Sequence, residues 1–312
     1  MIPRLIRRAA IAVVVTGIVA GTVVAMPQTA PPAQFTVLSG GHPLAVWSRS
    51  PGTPTGVIVL VHGRTWSSRP DFDLQVPGPS RSVMQSLAAR GFAVYAVDLR
   101  GYGASPRDRT GFLSPKVAAA DVVAVMHWVA ARHRSLPPPA LLGWSLGGAV
   151  AHLTAQQPDV PVASLVLFGY AMDPDARITP VAEPDAPAMV KTTRADAESD
   201  FISPLVTSRA VVDAFVQQAL ASDPVRVDWI REDEFNASRP EKLTLPTLVI
   251  HGARDPGMSA EVTARFVARM ATPNRQWTIL PGGDHAAQLE DTHDAFIDAV
   301  VGFLLRPGGG RR

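Results

Sequence analysis

The sequence predicts an α/β protein, a mostly parallel, doubly wound sheet with a helical lid inserted after the sixth strand. Three observations predict it. Short apolar runs alternate with helix-spaced segments from about residue 32 to 306. The alternation stops between residues 171 and 243, where no strand pattern is found. Four candidate chemical signals each follow a predicted strand, where open α/β sheets place their ligands.

The elements follow in order. "FTVLSGGHPLAVW" is a hairpin turned at Gly40 and Gly41. "GVIVLVHG" is a continuous apolar run, the pattern of a strand buried on both faces. "SRSVMQSLAARG" has helical spacing and stops at Gly91, and "FAVYAVDLRG" is the next strand. Ser114 and Pro115 suit the cap and first turn of a helix over "SPKVAAADVVAVMHWVAARH". "ALLGWS" is a strand, "LGGAVAHLTAQQ" a helix and "ASLVLFGY" the sixth strand. "TLVIHG", "AEVTARFVARM", "QWTILPG" and "AFIDAVVGFLL" complete strand, helix, strand, helix. Residues 34–170 and 244–306 thus form the two parts of one core.

Residues 171–243 break the rhythm. They open with the Pro/Asp/Ala-rich "AMDPDARITPVAEPDAPAM" and continue with helix-like "SRAVVDAFVQQALAS" and "VDWIREDEF". A block this long between two strands is expected to be a lid.

The N-terminus has a different character. Arg4, Arg7 and Arg8 precede an apolar run of 18 residues, Ala9 to Met26. Val23 and Ala25 supply small residues for cleavage after Ala25. Residues 1–25 are therefore expected to be an export signal. An uncleaved membrane anchor is the alternative, because the run reaches the lower limit for a span. The protein is then secreted, held in the cell envelope or membrane-anchored. Residues 26–33 are a linker, and residues 307–312 a flexible tail.

Charge excludes one class of partner. The chain has 29 Lys+Arg against 27 Asp+Glu. Setting aside the three arginines of residues 1–25 leaves 26 against 27, so no basic face for nucleic acid is implied. The absence of cysteine excludes disulfides and thiol nucleophiles. No metal-ligand spacing or phosphate loop is found, so no cofactor and no metal are expected.

The four signals have a chemical order. "LVHGRTW" ends a strand at His62 and Gly63, a turn that frees the Arg64 N–H as an oxyanion donor. His62 is expected to hold that turn through a hydrogen bond. "GWSLGG" places Ser145 between Gly143 and Gly147, where side chains would collide in a tight strand-to-helix turn. The Leu146 N–H is the second oxyanion donor, aided by the helix dipole. "LVIHGARDPGMS" presents Asp255 after the penultimate strand, and "LPGGDHAAQLE" presents His285 before the last helix. His285 is the only histidine that completes the order Ser, acid, His. His42, His127, His133, His152, His251 and His293 are expected to be structural, and Asp284 to cap a helix.

On "HG" at His62–Gly63, "DLRGYGAS" at Asp98–Ser105, "GWSLGG", "HGARD" and "GGDH", the chain resembles the α/β-hydrolase superfamily, serine-nucleophile, esterase/lipase-like branch. The motifs span nearly all of the chain after the leader. The resemblance implies the α/β-hydrolase fold and a Ser145–His285–Asp255 triad cleaving a small or medium apolar ester through an acyl-enzyme. It also implies that Arg100 is structural. Serine at the nucleophile position argues against the dehalogenase and epoxide hydrolase branches. Arg64 departs from the neutral residue common after "HG", and is expected to reach solvent or pair with a lid acid, with a bias toward anionic substrates as the alternative. If Asp255 is not the acid, Asp173 after the sixth strand is the alternative. Thioester hydrolysis, acyltransfer, C–C hydrolysis and perhydrolysis use the same triad. Peptidase activity ranks low, because no acidic amine-binding cluster is evident. An inactive member acting as a cell-surface binding protein is the reading from another class.

Overall fold

The computed structural model describes residues 30–170 and 172–306. The leader at residues 1–25, residues 26–29 of the linker and the tail at 307–312 lie outside the described residues. The main strands are β1 (Ala33–Ser39), β2 (His42–Arg49), β3 (Gly56–Val61), β4 (Phe92–Val97), β5 (Ala140–Trp144), β6 (Ser164–Phe168), β7 (Thr247–Gly252) and β8 (Arg275–Leu280). They form one eight-stranded sheet in the order β1-β2-β4-β3-β5-β6-β7-β8. The hairpin β1–β2 and the β2–β4 pair are antiparallel. Every other pairing is parallel. Gly40 and Gly41 both take positive φ, 54° and 83°, as a two-residue hairpin turn requires.

The sheet is covered on both faces, and β3 shows why its sequence is apolar throughout. Val57, Val59 and Val61 pack into one core and Ile58 and Leu60 into the other. Alternate side chains point to opposite faces, so a strand with two dry faces needs apolar residues at every position. Helices α3 (Pro115–Arg132), α4 (Leu146–Ala155) and α7 (Ala260–Arg269) line the first core. Helices α2 (Val83–Ala89) and α8 (His293–Leu304) line the second. The Ser82 hydroxyl accepts from the Gln85 N–H and caps α2. Ser114 makes no such side-chain bond, so Pro115 at the first helical position carries the start of α3.

Between β6 and β7 the described residues add no strand to the main sheet. This inserted segment carries α5 (Arg194–Glu198) and α6 (Arg209–Ser222). Phe215, Val211 and Ala219 of α6 pack with Trp66 and Leu74, beside α1 (Ser68–Phe72), in a third core. "VDWIREDEF" is not the helix its spacing suggests. Asp228–Trp229 pairs with Phe112–Leu113 in a two-residue parallel ladder, and Glu232–Ala237 is a 3-10 turn. Arg231 between them is left-handed at φ 55°, which ends helical continuation. Among the described residues, no helix is long and apolar enough to cross a membrane.

Candidate active site

Ser145 sits at the turn from β5 into α4 with φ 55° and ψ −121°. A non-glycine residue in this region is strained, and such strain collects at functional sites. The surroundings enforce it. The Ser145 N–H donates to the Phe168 carbonyl at 2.8 Å. A Cβ on Gly143 would lie 2.1 Å from the Gly147 carbonyl oxygen, and one on Gly147 would lie 2.3 Å from the carbonyls of Val61 and His62. The two glycines therefore let β5 and α4 close around the serine.

Asp255 and His285 are brought together by a third glycine. A Cβ on Gly252 would fall 2.2 Å from the Asp284 carbonyl. Without one, the loops after β7 and β8 zip together through Ala253 N–H to Leu280 O and Arg254 N–H to Gly283 O, both at 2.9 Å. His285 Nδ1–H then donates to Asp255 Oδ2 at 2.8 Å. The other carboxylate oxygen accepts from the Gly257 N–H at 2.9 Å. Nε2 of His285 is left as the basic nitrogen. Burial pushes the imidazole down, but the bond and charge of Asp255, with Asp200 and Asp284 behind it, leave it above its ordinary value. Trp144 fixes the loop by donating Nε1–H to the His285 carbonyl at 2.9 Å. Among the described residues no direct hydrogen bond joins Ser145 to His285, though both line one small cavity. Such contacts are often long in unliganded sites and tighten with substrate.

Asp173, the alternative acid, is engaged elsewhere, paired with Arg265 at 3.1 Å. Asp284 accepts from the N–H groups of Ala286 and Ser203, tying its loop to the inserted segment. Arg100 grips Asp121 through two bonds of 2.7 and 2.8 Å and so ties the "DLRGYGAS" loop to α3.

The turn after β3 is held by His62. Its Nδ1–H donates to the Gly63 carbonyl at 2.9 Å, and its Nε2 accepts from the Leu99 N–H at 3.1 Å. The imidazole is fully buried and pushed down to about 4, chiefly by desolvation, so it is neutral at pH 7. Because the carbonyl and N–H of a trans peptide point in opposite directions, holding the Gly63 carbonyl also sets the direction of the Arg64 N–H. The Arg64 carbonyl accepts from the Tyr102 hydroxyl, which accepts from Trp229 Nε1 at 2.8 Å. Arg64 and Leu146 line a cavity of about 500 Å3 that opens at Ser145. Its other walls include Ala149 and Tyr170 from the core side, and Met172, Ile178 and Phe235 from the inserted segment. The Arg64 guanidinium pairs with both oxygens of Glu232 in that segment.

Two residues near Ser145 carried no sequence signal. Asp71 and Asp200 line a second, smaller cavity of about 50 Å3 with Ser145, His285, Trp66 and Trp144. Asp71 is wholly buried, and its Oδ2 accepts from the Gly63 N–H at 2.9 Å. Its Oδ1 has no hydrogen-bond partner among the described residues. Burial, against which the Gly63 bond works, holds this carboxyl well above the ordinary range. Asp200 accepts from Trp66 Nε1 at 2.8 Å and is pushed up to about 6 by burial. The fold thus assembles an acidic pair that is 129 positions apart in the chain and invisible as a cluster in the sequence.

This fold and this elbow define a protein of α/β-hydrolase architecture. The family model described as serine aminopeptidase, S33 matches residues 52–292. The chain belongs to that family and is a hydrolase. It is similar to a monoacylglycerol lipase of Mycolicibacterium smegmatis, 26% identical over 267 residues that cover 83% of this chain and 91% of the relative. Among solved structures, a hydrolase from Pseudomonas aeruginosa is similar with a TM-score of 0.63 and 22% identity, covering 88% of this chain and 98% of that one. A thioesterase domain from the curacin biosynthetic pathway has a TM-score of 0.60 and 18% identity, covering 88% and 99%. Likeness at this level of identity shows the fold.

Proposed function

We propose that the protein hydrolyses carboxylic esters through a covalent acyl-enzyme. Ser145 attacks the ester carbonyl while His285 Nε2 takes its proton. Asp255 orients the imidazole and stabilises its charged form. The N–H groups of Arg64 and Leu146 hold the oxyanion, each worth about 3 kcal/mol of barrier reduction. Leu146 is the first residue of α4, so its N–H has no intrahelical partner. His285 then protonates the leaving alcohol, and water repeats the sequence. The observation that carries this reading is the 2.8 Å bond from His285 to Asp255, with Ser145 facing the same cavity.

An ester with a small or medium apolar part is the substrate class. Its support is the cavity of about 500 Å3 walled by Leu146, Tyr170, Met172, Ile178 and Phe235, together with the monoacylglycerol lipase relative. Residues 171–243 act as the lid over that cavity, a reading supported by the walls they contribute. Export by residues 1–25, or anchoring by them, is supported by the arginines and apolar run that open the chain.

A second reading has two supports. Removal of a residue bearing a free α-amine fits the family description and the carboxyls of Asp71 and Asp200 beside Ser145. Thioesters and acyl acceptors other than water are competing uses of the same triad.

The test is labelling by a fluorophosphonate probe, with the modified peptide located by mass spectrometry and Ser145→Ala as control. Labelling at Ser145 alone, with p-nitrophenyl esters turned over and aminoacyl anilides left intact, supports the ester reading. Turnover of aminoacyl anilides in preference to esters moves the assignment to a peptidase. Absence of labelling in folded protein points to a binding protein.

A further inference from the structure

Ser145 faces two cavities of very different size, about 500 and about 50 Å3. The larger has mostly apolar walls, with Arg64, Asp173, Arg177 and Glu232 among them, and room for an acyl group. The smaller has room for only a few water molecules. Its lining includes both partners of the proton transfer, Ser145 and His285, and the carboxyls of Asp71 and Asp200. Asp71 is completely buried and its Oδ1 is unpartnered among the described residues, although buried polar atoms are almost always hydrogen-bonded. The fixed side of the same carboxyl, Oδ2, is bonded to the Gly63 N–H, so the free oxygen cannot be satisfied by a simple flip.

We propose that the small cavity seats the water that deacylates the enzyme, and that Asp71 Oδ1 and Asp200 are the groups that hold it there. The proposal rests on the acyl-enzyme reading. Water in this cavity presents one hydrogen to His285 Nε2 and the other to a carboxyl oxygen. His285 removes the first proton as the water oxygen bonds to the acyl carbon. The tetrahedral intermediate then expels Ser145 Oγ, which recovers that proton from His285, and the carboxylic acid leaves. No further reactant is needed.

The alternative occupant is an ammonium group. Asp71 is poorly suited to it, since burial holds this carboxyl well above its ordinary range and so disfavours the charged form that would attract a cation. A cavity of this size would favour water over larger acceptors.

Asp71→Asn and Asp200→Asn test this in the folded enzyme. The amide introduced by Asp71→Asn keeps an acceptor for the Gly63 N–H. With a p-nitrophenyl ester, both variants should show a nitrophenol burst followed by turnover slowed at least about tenfold, the scale expected when a reacting group is misplaced. The fluorophosphonate labelling rate, which reads attack by Ser145 alone, should stay within about twofold in Asp200→Asn when measured on the alkaline plateau, where His285 is neutral in both proteins. Added methanol should rescue turnover less well than its concentration predicts from an open site. Equal slowing of labelling and turnover, or unchanged turnover, in both variants overturns the proposal. Loss confined to substrates with a free α-amine overturns it in favour of an amine subsite. Failure of the wild-type protein to label at Ser145 would instead refute the acyl-enzyme reading itself.

Discussion

Arg64 and Glu232 form a two-pronged ion pair that joins the turn after β3 to the inserted segment at the wall of the larger cavity. The side chains are 46% and 35% exposed, so solvent screens the pair and its contribution to stability is about 1 kcal/mol or less. Its consequence is therefore expected in access. Glu232→Ala should leave the melting temperature within a few degrees and change KM for bulky esters more than for p-nitrophenyl acetate. Steady-state kinetics on an ester series at low and high salt would check it. An equal change for all chain lengths would place the pair outside the substrate path.

The role proposed for Asp255 predicts a large and specific loss. Asp255→Asn keeps the side-chain shape but removes the charge that faces His285 Nδ1–H and permits the wrong tautomer. Turnover should fall by about 10³–10⁴-fold with KM little altered. Asp173→Asn, which loses a partly exposed pair with Arg265, should keep turnover within a few-fold of wild type. Kinetics on the two variants side by side separate the carboxyls. A larger loss in Asp173→Asn would reassign the acid.

As the proposed base, His285 sets the expected pH dependence. Its folded value lies above the ordinary 6.5 because Asp255, Asp200 and Asp284 outweigh its burial. The base form is neutral, so kcat/KM should rise with pH through a point above 6.5 and level off on the alkaline side. Asp200, itself pushed up to about 6, is ionised in the upper part of that window, and its charge helps hold His285 above its ordinary value. In Asp200→Asn the acid limb of the profile should move to lower pH. A profile of kcat/KM across the neutral range, with the acid limb and the plateau both covered, measures this. A limb that stays in place would show that Asp200 does not act on His285 electrostatically.

His62 and the elbow show what the sequence made legible. The strands, the order Ser–acid–His and the collision that excludes side chains at Gly143 and Gly147 all follow from short local patterns. β3 is apolar at every position because both faces are buried, and that needs no tertiary knowledge. Asp71, Asp200 and Glu232 escaped notice because nothing local marks them. Asp200 and Glu232 take their meaning from bonds to Trp66 and Arg64, far off in the chain, and Asp71 from its bond to the Gly63 N–H. "VDWIREDEF" misled for the same reason: Trp229 is claimed by Tyr102, and Arg231 by a left-handed turn, against the helical spacing of its apolar residues. Tertiary context overrides weak propensity in such segments.

Gly147→Ala tests the packing of the elbow directly. The added methyl would meet carbonyl oxygens of Val61 and His62 at 2.3 Å, and backbone of a central strand cannot move aside cheaply. A loss of about 3 kcal/mol in stability is expected, with activity lost in any folded fraction. Urea denaturation followed by tryptophan fluorescence reads it.

Glu290 gives the last prediction, one of stability against pH. It is fully buried in the turn before α8 and accepts from the Asp284 N–H at 2.8 Å. Burial first, and the neighbouring Asp284 second, push its carboxyl up to about 9. A carboxyl whose folded value is raised binds its proton more tightly in the native state than in the unfolded one. Its contribution to stability is complete below its unfolded value near 4.5 and declines as pH climbs from there to about 9. Glu290→Gln keeps an acceptor for Asp284 N–H and removes the titration. The variant should therefore match the wild type near 4.5 and become progressively more stable than it as pH approaches about 9. Paired thermal melts across that range give the result. A constant difference between the two proteins would mean that Glu290 is charged in the folded state, with its burial relieved by water or by movement of the loop.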